Sequence, residues 1–100
     1  MSHYAIYCRD KAGAGDQRQA ASPAHLMHVE EHLENYFIAG PIKDNDGATV
    51  GSLLIVKADS ADKARNFLEQ DPYFSADIWE SIEIHDFMPA AGDWIGGKIW

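Results

Sequence analysis

Apolar and polar residues follow one another along the chain in runs that predict four strands and two helices. Runs rich in aliphatic and aromatic residues predict the strands, at 3–9, 36–41, 50–58 and 80–88. In the last of them Ile82 and Ile84 alternate with Glu83 and His85, which is the pattern of a half-buried strand. The sequence NDG between the second and third runs is typical of a tight turn.

The first helix is predicted to begin at Ser22 and Pro23, after a polar, glycine-containing surface loop at 10–21. Serine can cap a helix, and proline is tolerated in the first turn because its missing N–H would have no partner there. The apolar stripe of this helix should consist of Leu26, Val29 and Leu33.

The second helix is predicted to follow Asp59 and Ser60 and to end at Asp71, because a residue before proline avoids the helical region. Its apolar face should contain Ala61, Ala64, Phe67 and Leu68. The segment FSADIW after the proline can form one extra turn.

This order of elements, β-α-β-β-α-β, predicts an α+β protein of the ferredoxin-like class. In that class one antiparallel sheet carries two helices on one face. A chain of 100 residues suits a single domain, so we expect one domain over 1–100, with residues 89–100 as a C-terminal tail. The tail is glycine-rich but also carries large apolar residues, namely Trp94, Ile95, Ile99 and Trp100.

Two of the predicted strands are apolar on both faces, in the consecutive residues 53–56 and in 4–8. Two helices cover only one face of a sheet, so a monomer would leave the other apolar face in water. We therefore expect a homodimer with two-fold symmetry, sheet against sheet. The tryptophans of the tail would pack either across that dimer or on their own subunit.

Composition narrows the classes of partner. The formal net charge is −8 and the eight basic residues are dispersed, so the chain lacks the basic patch that nucleic acid binding needs. The acidic surface disfavours anionic membranes, and no apolar run approaches a membrane span. The first residues lack the pattern of a secretory signal, and the lone Cys8 excludes an intrachain disulfide. We expect neither a nucleic acid nor a membrane partner, and a cytoplasmic location.

Three of the five histidines, His25, His28 and His32, lie on one stripe of the first predicted helix. Two histidines one turn apart can share a zinc ion. The third, His32, would have to reach back about 10 Å along the helix axis to join His25. The spacing therefore disfavours one shared metal, although a pair with a carboxylate from elsewhere stays open. His28 and His32 are expected at the boundary of the core or at the surface, paired with acids, and their acidic neighbours are Glu30, Glu31 and Glu34.

His25 is the better candidate for chemistry, because an imidazole can take and return a proton at neutral pH. The predicted helix start places it in the first turn, two residues after Pro23. Such a base needs a carboxylate that fixes its tautomer, and Asp71 in DPYF is the best candidate in the sequence. Asp71 can also be a simple helix stop, and the sequence pattern alone favours that reading while leaving the other open.

Other motifs predict no further chemistry. Ser52 in VGSLLI lacks the glycine pattern of a serine hydrolase nucleophile. Gly13 and Gly15 are not part of a strand-glycine-helix unit that binds dinucleotides. Cys8 is expected to be buried in the first strand and inert.

Four segments in this order and spacing, RQAASPAHL, AGP, GSLLIV and DPYF, resemble the YCII-related (YciI-like) family. The resemblance implies a dimeric α+β barrel of ferredoxin-like type with a His–Asp active site, which corresponds to His25 and Asp71 here. It also implies an arginine seven residues before the histidine, which is Arg18. A second arginine, often found three residues before the histidine, is replaced by Ser22. His28 and His32 lie outside the family pattern.

The resemblance implies small-molecule chemistry in which a proton moves next to a carbonyl or lactone, as in a dehydrochlorinase relative and in muconolactone isomerase. Under this reading His25 and Asp71 are the catalytic residues. The substrate would contact Arg18, Gly40, Ser52 and Tyr73. Arg18 or nearby backbone N–H groups would hold a carboxylate or an enolate oxygen of that substrate. The reaction would be that of a lyase or isomerase, with no cofactor and no metal. The alternative is a non-catalytic dimeric module that binds a small ligand or serves as a partner subunit, and a third reading is a metal-binding protein.

Overall fold

The structure is a computed structural model that describes residues 2–100. One four-stranded sheet carries the helices of the domain on one face. Its strands are β1 (Ser2–Asp10), β2 (Tyr36–Lys43), β3 (Thr49–Ala58) and β4 (Trp79–Phe87). The helices are α1 (Gly15–Glu31), α2 (Ala61–Glu69) and the single turn α3 (Pro72–Ser75). The four predicted strands are present, and their ends agree within two residues.

The strands lie in the order β2-β3-β1-β4, and every neighbouring pair is antiparallel. The register places Ile6 between Leu54 on β3 and Ile84 on β4, on the face that the helices cover. Ala64 and Leu68 of α2 pack against this face and are buried with it. The chain is therefore an α+β domain with one antiparallel sheet, as the pattern of elements predicted.

Close approach of β1 and β3 requires a glycine at position 51. A Cβ atom there would collide with the carbonyl oxygen of Cys8. The absence of a side chain at Gly51 thus lets β3 pair closely with the end of β1, where the polar groups of the site described below begin.

The predicted start of α1 is wrong. The helix begins at Gly15 rather than at Ser22, and Pro23 lies inside it. The segment DQRQAA consists largely of good helix formers. The proline removes only the hydrogen bond to the carbonyl of Gln19, an exposed residue whose carbonyl water can satisfy. His25 is consequently near the middle of α1 and not in its first turn.

The predicted apolar stripe of α1 is right only at Val29, which packs against the core. Leu26 and Leu33 are 60% and 61% exposed, and the buried residue of this helix is His28. The backbone of α1 approaches that of α3 and stands off from the sheet above β2 and β3. The space under α1 is therefore not filled by its own aliphatic side chains.

The second helix follows the sequence closely. The hydroxyl oxygen of Ser60 accepts a hydrogen bond from the backbone N–H of Lys63, so Ser60 caps α2 as its residue type predicts. Asp71 then ends the segment and caps α3, with Pro72 in the first position of that turn. An extra helical turn is present, but as α3 it begins at Pro72 itself and overlaps the predicted segment FSADIW only at Phe74 and Ser75.

The sheet face opposite the helices keeps apolar residues in solvent. Ile38 is 38% exposed, Leu53 is 43% exposed and Phe87 is 41% exposed. The C-terminal tail forms a short hairpin of Ala91–Gly92 and Gly97–Lys98, and together with Phe87 it borders a small cavity on this face. Trp94 and Trp100 of the tail are more than 70% exposed.

Candidate functional site

A cavity of about 650 Å³ lies between α1 and the strands β2 and β3. Arg18, Ser22 and His25 reach it from α1, because positions separated by four and then three residues share one face of a helix. The opposite wall is formed by the two strands, through Ala39, Gly40, Pro41, Thr49, Ser52 and Leu54. Tyr73 and Trp79 also line it. The cavity is open to solvent, so a small molecule can enter it.

His25 and Asp71 are in direct contact. Nδ1 of His25 is 2.8 Å from Oδ1 and 3.0 Å from Oδ2 of Asp71. The carboxylate is only 1% exposed, and its Oδ1 also accepts the backbone N–H of Tyr73 at 2.9 Å. Asp71, which follows α2 and caps α3, therefore also presents a fixed, buried hydrogen-bond acceptor to the imidazole of His25.

Tyr73 holds the imidazole from another direction. Its ring stacks on that of His25 with a centroid distance of 3.8 Å and an interplanar angle of 10°. The guanidinium carbon of Arg18 lies 4.6 Å from the centroid of the same tyrosine ring. Because Tyr73 is 4% exposed and packs edge-on against Trp79, the stack has little room to move.

The guanidinium of Arg18 is bonded to several groups of the strands. Nε and Nη2 donate to the two carboxylate oxygens of Asp10, at 2.8 and 3.1 Å. Nη2 also donates to the hydroxyl oxygen of Ser52 at 2.9 Å and is 3.3 Å from the carbonyl oxygen of Gly51. Burial by itself would lower the pKa of Arg18, but the hydrogen bond and charge of Asp10 outweigh it and raise that pKa.

The structure brings the predicted site residues to one place. Arg18, His25, Gly40, Ser52 and Tyr73 line the cavity, and Asp71 lies behind His25. Gly40 contributes its backbone, since its strand directs neighbouring side chains, those of Ala39 and Pro41, toward the helices.

The sequence reasoning missed Asp10 and Trp79. Asp10 shares the helix-facing parity of Cys8 along β1, which was the signal that could have placed it beside α1. Trp79 begins β4 directly after the helical turn that contains Tyr73, and only the tertiary structure shows that it lines the cavity.

His28 is buried rather than at the boundary of the core or at the surface, contrary to expectation. It is 9% exposed, its ring lies 5.6 Å from that of Phe67, and its Nε2 atom has no hydrogen-bond partner among the described residues. Burial lowers the pKa of His28, because the charged imidazolium would lose its hydration. His32 is partly buried beside it and bonds through Nδ1 to the carbonyl oxygen of His28, 2.7 Å away, rather than to an acid.

The remaining candidate groups lie outside the cavity. Among residues 2–100 no three His, Cys, Asp or Glu side chains come together in a way that could hold a metal ion. Cys8 is fully buried, and burial raises the pKa of its thiol to about 12. No helix in the described part of the chain has the length and apolar character that crossing a bilayer requires.

The fold and the cavity together define a class: a small α+β domain with an imidazole–carboxylate pair in the wall of an open cavity. The sequence-family model of the YCII-related domain matches residues 2–88 of this chain. Protein YciI of Escherichia coli O6:H1 is 34% identical over 92 residues, which cover 84% of this chain and 94% of that relative. The chain therefore belongs to the YCII-related family, as the resemblance predicted.

Solved structures agree with this assignment. The chain is similar to 5-chloro-2-hydroxyhydroquinone dehydrochlorinase (TftG) from Burkholderia phenoliruptrix AC1100, whose structure is a complex with 2,5-dihydroxybenzoquinone. The identity is 26% and the TM-score 0.79, over 91% of this chain and 96% of that one. Protein Atu4242 from Agrobacterium tumefaciens shares the fold at 19% identity and a TM-score of 0.50, over 90% of this chain and 94% of that one.

Proposed function

We propose that this protein is a small-molecule enzyme in which His25 transfers a proton to or from a substrate in the cavity. The observation that carries the proposal is the contact of His25 Nδ1 with the buried carboxylate of Asp71, 2.8 Å away, in the wall of an open cavity. A titratable pair of this kind beside a concave site is the arrangement expected of a general base and its positioning residue.

The pair sets the tautomer of the imidazole. An ionised carboxylate can only accept hydrogen bonds, so Nδ1 of His25 carries a proton and donates it to Asp71. In the neutral ring Nε2 then holds the lone pair, and it is Nε2 that can take a proton from a substrate. Asp71 stabilises the imidazolium that forms, and stacking on Tyr73 keeps the ring in the same orientation throughout.

The reaction we propose is elimination or isomerisation on a hydroxylated ring compound. The similarity to TftG, whose name describes removal of hydrogen chloride from a chlorinated hydroquinone, supports this class. A hydroxyl proton of the substrate would first move to the chlorinated ring carbon, which makes that carbon tetrahedral. His25 would then take the proton of another hydroxyl group, the electrons of the broken O–H bond would form a C=O bond and shift the ring double bond, and chloride would leave with the electrons of the broken C–Cl bond. The products balance as HCl and a hydroxyquinone, so the reaction needs no added oxidant, reductant or cofactor.

Chloride release from 5-chloro-2-hydroxyhydroquinone tests the proposal, with wild type compared with His25→Ala. We expect His25→Ala to lower the rate about 100-fold or more, the usual contribution of a general base. His32→Ala is the matched control, because His32 caps the C-terminal end of α1 and lies outside the cavity wall. Full activity of His25→Ala would contradict the role of His25.

Absence of chloride release by the wild type would reject this reaction and favour the binding-module reading.

We further propose that two ferredoxin-like subunits pair through their open sheet faces into a dimeric barrel. The exposed apolar residues on that face support this, Leu53 among them at 43% exposure. Sedimentation analysis should show a dimer that Leu53→Lys weakens. Met27→Lys is the control, since Met27 is 61% exposed on α1. A wild-type monomer would contradict the dimer.

The cytoplasmic location that we propose rests on the lone Cys8, since a single cysteine is typical of a chain without an intrachain disulfide.

A further inference from the structure

The cationic group in the cavity wall is already neutralised. The side chains of Arg18 and Asp10 are 14% and 7% exposed, and two hydrogen bonds join them in a side-by-side geometry. A carboxylate ligand would have to compete with Asp10 for the same guanidinium. The donors that remain to Arg18 point away from Asp10, and one of them is already used by Ser52.

The charges around the cavity disfavour an added anion. Two buried carboxylates lie behind the cavity wall: that of Asp10 pairs with Arg18, the one permanent cation of the wall that residues 2–100 form, and that of Asp71 pairs with His25. The other polar side chains of the wall are uncharged, namely Gln19, Ser22, Thr49, Ser52 and Tyr73, apart from the imidazole of His25. A localised negative charge in the cavity would therefore meet a potential close to neutral or negative.

Asp10 acts on a ligand only through Arg18. The cavity wall, as residues 2–100 form it, contains Arg18 and Ser52 but not Asp10. The carboxylate of Asp10 fixes the guanidinium beside the Ser52 hydroxyl and over the ring of Tyr73, 4.6 Å from its centroid. The two donor groups then face the cavity in one defined arrangement, suited to hydroxyl and carbonyl oxygens.

We infer that Asp10 is a specificity-determining positioning residue that makes the cavity prefer an uncharged, oxygen-substituted ring over a carboxylate of the same shape. The inference deepens the proposed function and rests on its assignment of the cavity as the ligand site. It replaces the carboxylate that the sequence analysis offered as the group held by Arg18.

A matched pair of probes tests this: 2,5-dihydroxybenzamide and 2,5-dihydroxybenzoate, which differ in charge but hardly in shape. Dissociation constants of both are measured at neutral pH by NMR titration with wild type, Asp10→Asn and Asp16→Asn. Wild type should bind the amide more tightly. Asp10→Asn should shift the ratio of the two constants toward the carboxylate about tenfold, because it uncovers the charge of Arg18.

Asp16→Asn removes the same formal charge from an exposed position in the first turn of α1 and should leave the ratio unchanged. Asp10→Glu keeps the charge and should restore the wild-type preference. Tighter binding of the carboxylate by wild type would overturn the inference, as would an unchanged ratio in Asp10→Asn or no binding of either probe. Where Asp10→Asn fails to fold, tighter binding of the carboxylate by wild type still overturns the inference.

The two proposals fail separately. A shift in the binding ratio without chloride release would reject the reaction and keep the role of Asp10. Chloride release with an unchanged ratio would keep the reaction and reject the role of Asp10.

Discussion

The contact between His25 and Asp71 predicts a non-additive double-mutant cycle in stability. His25→Ala leaves the carboxylate of Asp71, which is 1% exposed, with the backbone N–H of Tyr73 as its one donor among residues 2–100. Removing one partner of a buried pair costs about 3–5 kcal/mol, and the cavity beside His25 lets water in, so we expect about 3 kcal/mol. Asp71→Asn keeps the shape and the cap of α3 and loses the charge-assisted bond, at a cost of about 1.5 kcal/mol.

The double variant carries no unpaired buried charge. Adding Asp71→Asn to His25→Ala should therefore restore stability or leave it unchanged, with a coupling free energy of about 1.5–3 kcal/mol. Urea unfolding followed by circular dichroism measures each free energy, at one fixed protein concentration so that any association contributes equally. Free energies that add within about 0.5 kcal/mol would refute a direct interaction between the two side chains.

Three further predictions concern burial and backbone contact. Burial lowers the pKa of His28 in the folded protein, so as the pH falls the unfolded chain takes up a proton at this position before the folded protein does. The free energy of unfolding should therefore be highest above about pH 6.5 and should decrease as the pH drops below that value. His28→Leu should reduce this loss in urea titrations at several pH values, and an unchanged profile would contradict it. The thiol of Cys8, with a pKa of about 12, should react with maleimide only after unfolding in urea, and rapid labelling of the native protein would count against its burial. Gly51→Ala should lower the free energy of unfolding by about 1–3 kcal/mol, because its methyl group would meet the carbonyl oxygen of Cys8. Gly40→Ala is the control: its Cβ would meet no atom, so the free energy of unfolding should change by less than about 0.5 kcal/mol. Equal effects of the two variants in urea unfolding would contradict the close approach of Gly51 to Cys8.

The start of α1 shows where local sequence rules fail. Ser22 and Pro23 have the residue types of a helix start, yet the helix continues through them because Pro23 gives up one hydrogen bond at an exposed turn. The predicted apolar stripe of α1 is wrong at Leu26 for a related reason. Leu26 is exposed because α1 stands off from the sheet, and no periodicity within one helix reports how far that helix lies from its neighbours.

The sequence by itself determined the strands, the second helix and its cap at Ser60, because these depend on residues adjacent along the chain. It also nominated His25 and Asp71 through residue type and resemblance. Only the tertiary structure decided that these two meet, since they are 46 residues apart and come together through the packing of α3 against α1. The role of Asp10 was likewise invisible in the sequence, because its charge matters only where the end of β1 passes beneath Arg18.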